Sequence, residues 1–269
     1  MQNTFGFIGT GNMGGALACA AAKMMDPGSI FLANKTRAKA EILADQLGAH
    51  VSTTEDISRS CSYVFLGVKP QMMADLLAEM APVLAARTDR FILVTMAAGL
   101  TMDTIRAMAG GQYPVIRIMP NTPVSVGEGV ILYDATADVT DGELQQFCTS
   151  MGKGGLLDRL PEHLIDAGSA VAGCGPAFAD LFLEALADGG VACGLPRAKA
   201  MAYAAQMLKG AAALQLETGS HPGQLKDAVC SPGGSTIAGV RALEQRAFRA
   251  AAMEAVEAAF HKNKQLGNT

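Results

Sequence analysis

The chain has 269 residues, half of them hydrophobic but only 5% aromatic, with 30 glycines and no tryptophan. That length allows two ordinary domains, each with its own core, and 21 basic against 25 acidic residues, a net charge of -4, leave no electrostatic footprint for nucleic acid. No uninterrupted apolar run reaches the ~18 residues of a membrane span; six scattered cysteines without a C-x-x-C pair and four histidines without ligand spacing give no metal site.

From the first residue to about residue 160, short apolar runs alternate with helical patterns. "TFGFIG" precedes a helix over Asn12 to Met24, "SIFLAN" one over Arg37 to Leu47, "SYVFLGV" one over Gln71 to Ala86, and "RFILVTM" one over Thr101 to Ala109. Strands apolar on both faces and separated by helices predict a parallel sheet covered on both sides. "YPVIRIMP", "GVILY" and "GGLLD" read as further strands, with a helix over Asp141 to Met151. A strand already at Thr4 to Ile8 leaves no room for a cleavable leader, so a cytoplasmic address is expected.

After Pro161 the strand pattern stops. Helices are expected from His163, over Pro176 to Cys193, Pro196 to Glu217, Gln224 to Val229, and Ser235 to about Lys264. The chain therefore reads as α/β: a Rossmann-type doubly wound sheet over 1–160 followed by an all-α domain over 161–269. Alanine-rich helices such as "MAYAAQMLKGAAALQLE" suit close packing, including packing between subunits.

Gly9-x-Gly11-x-x-Gly14 ends the first strand and opens the first helix. In that context the glycines let backbone approach a pyrophosphate at a helix N-terminus, so a dinucleotide is expected, with Thr10, Asn12 and Met13 in the same loop. The second strand ends in Asn34, with Lys35 and Arg37 following. An acid there would accept from the ribose 2′-hydroxyl and repel a phosphate; a neutral amide beside two cations favours NADPH, with NADH as the alternative. Lys69 in "GVKPQ" and the "TMAAG" turn close two further strands where ligands bind in such sheets. "RIMPNTP" brackets Asn121 and Thr122 between prolines in a stiff loop, which fixes an amide and a hydroxyl near the same edge, so Asn121 is expected at the cofactor; Arg117 before it suits a structural ion pair.

"CSPGGSTIAGVRALE", Cys230 to Glu244, sets a proline, two glycines and hydroxyls before a helix, with no histidine or acid among those leading residues. It is a helix cap or a receptor for an anion, since bare N–H groups and the helix dipole face whatever lies ahead.

Together these segments resemble the pyrroline-5-carboxylate reductases, over nearly the full length. The carriers are "GFIGTGNMGGAL", "VFLGVKPQ", "MAAG", "RIMPNTP", "GCGPAF", "LADGGVACGLPR" and "HPGQLKDAVCSPGGSTIAG". The resemblance implies hydride transfer from NADPH to a C=N bond to make L-proline. It also implies a helical domain that interleaves in a homodimer, assembled up to a decamer, with substrate between the nicotinamide and the partner's helical segment. Ile8 to Met13, Asn34, Val68 to Pro70 and Ala97 to Gly99 would touch the cofactor; Ser235 and Thr236 would meet the substrate. The carboxylate is then expected on the N–H groups of Gly233, Gly234 and Ser235, with the Thr236 hydroxyl at the ring nitrogen.

Where the family pattern has Ser-Gly-Ser-Gly-Pro-Ala-Tyr, this chain has Ala172, Gly173, Cys174, Gly175, Pro176, Ala177 and Phe178, so three hydroxyls are missing. His221 reads as a loop-capping residue and Asp188 as structural. The alternatives are a reductase of another cyclic imino acid, or a catalytically silent dinucleotide-sensing protein.

Overall fold

The computed structural model describes residues 3–266. Two compact units divide them: a sheet unit, the chain through Cys174 joined by the segment from Ala259, and a helical unit, Gly175–Ala258.

The sheet unit is built on eight strands: β1 (Phe5–Ile8), β2 (Ile30–Ala33), β3 (His50–Val51), β4 (Tyr63–Leu66), β5 (Ile92–Thr95), β6 (Val115–Pro120), β7 (Gly129–Ala135) and β8 (Gly155–Arg159). They lie in the order β3-β2-β1-β4-β5-β6-β7-β8. Register runs Phe5 opposite Ile30 on one side and Tyr63 on the other. Side-chain alternation distributes two cores: Phe5, Phe7, Tyr63, Phe65, Ile92 and Val94 fall in one cluster, Ile8, Val64, Leu66 and Leu93 in the other. Burial on both faces is why these runs show no polar alternation in sequence.

The sheet is not parallel throughout, as the apolar runs suggested. β7 pairs antiparallel to β6, with Ile118 opposite Tyr133, because the connection over 121–128 is too short for a crossover helix. β8 returns parallel to β7 through α6 (Asp141–Met151), whose start is a capping box between Thr140 and Glu143. The other helices of this unit are α1 (Asn12–Ala22), α2 (Arg37–Leu47), α3 (Thr54–Ser60), α4 (Met73–Ala85), α5 (Met102–Ala109) and α7 (Glu162–Gly168). β3 and α3, too short to show periodicity, were not anticipated. Beyond α7 the chain makes a π-helical turn, Ser169–Gly173.

The helical unit holds α8 (Gly175–Ala192), α9 (Arg197–Thr218), α10 (Pro222–Ala228), α11 (Ser235–Gln245) and the first part of α12 (Phe248–Leu266). The single helix expected from Ser235 to Lys264 is interrupted at Ala247, which takes φ 56°. α8 continues through Gly189 and Gly190. An added Cβ at Gly190 would lie 3.2 Å from that of Ala200, so small residues let α8 and α9 approach closely. Among the described residues the apolar core clusters lie in the sheet unit, whereas Leu181, Leu216 and Met253 are exposed. Helices with so little buried among themselves need a further surface to pack against.

One helical stretch, Glu162–Ala192, is long and apolar enough to cross a membrane by length and composition. The π turn divides it, and Glu162 and Asp166 at its start pair with buried Arg117 of β6.

Candidate active site

At the end of β1 the chain turns at Gly9, whose φ is 98°; an added Cβ there would lie 2.5 Å from the carbonyl of Gly67, after β4. A Cβ at Gly14 would collide with the Gly9 carbonyl, whereas at Gly11 it would project into open space. Two of the glycines thus permit backbone packing between neighbouring loops, and the third leaves room for a ligand. β1 and β4 flank the point where strand order reverses, the place where such sheets bind ligands. A cavity of about 590 Å³ opens there, lined by Ile8, Gly9, Gly11, Asn34, Lys35, Gly67, Val68 and Lys69, a size suited to a small-molecule site.

The donor set fits a dinucleotide phosphate. α1 begins without a side-chain cap, and the N–H groups of Asn12 and Met13 have no acceptor among the described residues. Thr10 is buried and its Oγ1 is also without a partner among the described residues. Its N–H donates to Asn34 Oδ1 at 3.1 Å, while Asn34 Nδ2 donates to the Thr36 carbonyl at 3.0 Å. Asn34 therefore ties the glycine loop to the turn that presents Lys35. Arg37, the first residue of α2, is paired with Glu41 at 2.8 Å and is absent from the cavity wall.

Met13 packs on the core beneath the loop, and Asn12 is exposed. Pro70 begins a short 3-10 turn after Lys69. Ala97 is buried, Ala98 half-buried, and Gly99 turns the chain at φ 78°; none of the three lines the cavity. Thr54, Met72, Asp75, Leu76 and Glu79 do line it. They come from the start of α3, the 3-10 turn after Lys69 and the first half of α4, and no motif marked them.

Two other hollows involve Arg87 and Arg90. Those arginines are engaged, Arg87 on the Ser58 and Cys61 carbonyls and Asp89, Arg90 on Glu143, so neither hollow offers a free cation from them. Burial pushes the Cys61 thiol up to about 11, which makes it inert at neutral pH.

Asn121 differs from the sequence expectation. Its Oδ1 accepts from the Val130 N–H at 2.9 Å and its Nδ2 donates to the Ala172 carbonyl at 3.0 Å, so both ends of the carboxamide are held within the chain.

In the helical unit, α11 starts at Ser235 with Gly234 as a cap that supplies no side chain. Gly233 takes φ 71°, and a Cβ on Gly234 would collide with Ser231 Oγ. The Gly234 N–H, expected to face an anion, instead donates to the Ser231 carbonyl at 3.0 Å. The array is displaced along the helix: Ser235, Thr236 and Ile237 have N–H groups without acceptors among the described residues. His221 caps α10, its Nδ1 accepting from Gly223 at 3.0 Å, and Asp188 pairs with Arg197, as their sequence contexts suggested.

Residues 162–266 match the family model described as pyrroline-5-carboxylate reductase dimerisation, and residues 4–99 that described as NADP oxidoreductase coenzyme F420-dependent. The pyrroline-5-carboxylate reductase of Escherichia coli K12 is 36% identical over 272 residues, covering 100% of both chains. The chain belongs to the pyrroline-5-carboxylate reductase family. A crystal structure of the Plasmodium falciparum pyrroline carboxylate reductase with NADP bound is similar at TM-score 0.87 and 30% identity, covering 98% of each chain. A pyrroline-5-carboxylate reductase from Coxiella burnetii is similar at TM-score 0.89 and 29% identity over 100% of both.

The reductase dimerisation segment includes α7 and the π turn, which pack with the sheet unit, as well as the whole helical unit. Its presence marks the chain as a homo-oligomer.

Proposed function

We propose that this chain reduces 1-pyrroline-5-carboxylate to L-proline with NADPH. The observation that carries the reading is identity of 36% to the E. coli reductase along the entire chain. Residues 1–160 serve the cofactor and 161–269 the substrate and self-association, as a dimer and up to a decamer, in the cytoplasm.

Bound NADPH supplies the hydride. Gly11, Asn12 and Met13 receive its pyrophosphate on backbone, Gly9, whose N–H donates to the Ala33 carbonyl at 2.8 Å, makes the turn that lets the loop approach it, and Thr10 Oγ1 gives a hydroxyl to the same phosphates. Lys35 meets the 2′-phosphate and Asn34 holds the turn that carries it, while Arg37 adds charge from the next helical turn. Ile8, Val68, Lys69 and Pro70 bound the cofactor at the ends of β1 and β4, and Ala97, Ala98 and Gly99 at the end of β5. The substrate carboxylate rests on the start of α11, at Gly233, Gly234, Ser235 and Thr236, with the N–H groups of Ser235, Thr236 and Ile237 as donors. The Thr236 hydroxyl faces the ring nitrogen. An imine that arrives protonated needs no strong acid from the protein, which agrees with a segment free of histidine and carboxylate; orientation then contributes up to roughly 10 kcal/mol of barrier lowering.

The test is NADPH oxidation followed by absorbance, comparing five- and six-membered cyclic imino acids with NADPH and NADH. Turnover strongest with the five-membered ring and NADPH is the expected result. Preference for the six-membered ring, or cofactor binding without turnover, would defeat the reading.

A further inference from the structure

Asn121 is 7% exposed and sits where β6 ends. Because the Val130 N–H must meet an acceptor, the carboxamide has one orientation, with Nδ2 toward the Ala172 carbonyl. Ala172 lies within the π turn Ser169–Gly173. In α-helical register its carbonyl would accept from the N–H of residue 176, and residue 176 is proline. The Asn121 side chain supplies the donor that Pro176 lacks.

The location is specific. Met119 and Val130, on the two strands joined at Asn121, share an apolar cluster with Ala98, from the turn that follows β5. The π turn is therefore fastened to the ends of β6 and β7, whose side chains pack on Ala98 of the loop after β5. π turns interrupt helices at a cost and recur at functional sites. This one contains or adjoins two of the positions, Ala172 and Cys174, where the family pattern has hydroxyls.

We infer that Asn121 is a positioning residue for imine reduction: by replacing the amide that Pro176 cannot offer, it holds the Ala172–Cys174 turn against the ends of β6 and β7, which pack on the Ala97–Gly99 loop of the reaction site. The activity side of this inference rests on the proposed reduction, and the bond itself is testable without it. Asn121→Asp keeps an acceptor for Val130 N–H but, when ionised, loses the donor to Ala172. Once protonated, the new carboxyl can donate again, and burial raises the pH at which it protonates.

The experiment compares wild type, N121D and N121D/P176A for kcat, imine KM, NADPH Kd and Tm between about pH 6 and about pH 9. At the alkaline end N121D should lose about 10- to 100-fold in kcat with NADPH Kd within about 3-fold of wild type. Both its kcat and its Tm, relative to wild type, should recover on acidification. P176A, which restores an N–H at position 176, should raise both in the N121D background at alkaline pH. N121D-to-wild-type ratios that stay flat with pH, or a double variant no better than N121D, would overturn the inference. Should N121D fail to fold, N121D/P176A must fold and show the recovery, or the inference fails. Wild type without imine turnover defeats the proposed function instead, and the Tm comparison still decides the role of Asn121.

Discussion

The guanidinium of Arg117, 2% exposed in the middle of β6, donates from Nη2 to Asp166 Oδ1 of α7 at 2.8 Å. Its Nη1 lies 3.4 Å from Glu162 Oε1, which also accepts from the Met102 N–H at 2.7 Å. The Asp166 carbonyl in turn accepts from Asn263 Nδ2 at 3.4 Å. One buried cation thus fastens α7 to the sheet, and α7 is the helix that leads into the π turn.

Removing one partner of a buried pair leaves an uncompensated charge, which is more harmful than the pair is helpful. Asp166→Ala leaves Arg117 only the longer contact to Glu162, at 3.4 Å, and should lower unfolding free energy by about 2 kcal/mol, read as a shift in urea midpoint. Arg117→Leu should cost less, because both carboxylates it leaves behind are partly exposed, at 23% and 25%. A larger loss for Arg117→Leu would contradict this account.

Glu143 accepts from Arg90 Nε and Nη2 at 2.7 and 2.9 Å, and this bidentate pairing holds its pKa down at about 2. A carboxylate with a depressed folded pKa stabilises the protein above its ordinary value of 4.5 and loses that contribution as pH falls through about 2. Glu143→Gln should therefore lower Tm at neutral pH. The difference from wild type should shrink steadily below about pH 4.5; a difference constant with pH would show that the pairing contributes nothing.

Lys35 lines the cavity while Arg37 is occupied by Glu41. Lys35→Ala should raise KM for NADPH about 5-fold, the worth of roughly 1 kcal/mol, and leave KM for NADH nearly unchanged. Arg37→Ala should do less. Equal effects on both cofactors would remove Lys35 from recognition of the 2′-phosphate.

Thr236→Val keeps the backbone donor and side-chain shape while deleting the hydroxyl. Loss of one hydrogen bond of about 1.5 kcal/mol predicts roughly a 10-fold fall in kcat with NADPH affinity preserved. Turnover equal to wild type would take Thr236 out of the mechanism.

Local chemistry was legible in the residues themselves. A run such as "VFLGV" is a buried strand wherever it lies, Gly9, Gly11 and Gly14 announce a turn before a helix, and Ser235 after two glycines announces a helix start. These depend on neighbours a few residues apart, so sequence alone determined seven of the eight strands, the glycine turn before α1 and the helical second half. Only the tertiary structure decided which groups were already engaged. The reversal of β7 depends on how β6 and β7 pair, the partners of Arg117 lie 45 and 49 residues away, and Asn121 reaches Ala172 across 51 residues. The Gly234 N–H, only three residues from its acceptor, was lost to a turn whose shape follows from backbone angles at Gly233 that no residue name specifies. Hydrogen-bond capacity is a property of residue type, whereas its availability to a ligand depends on every other group that can reach it first.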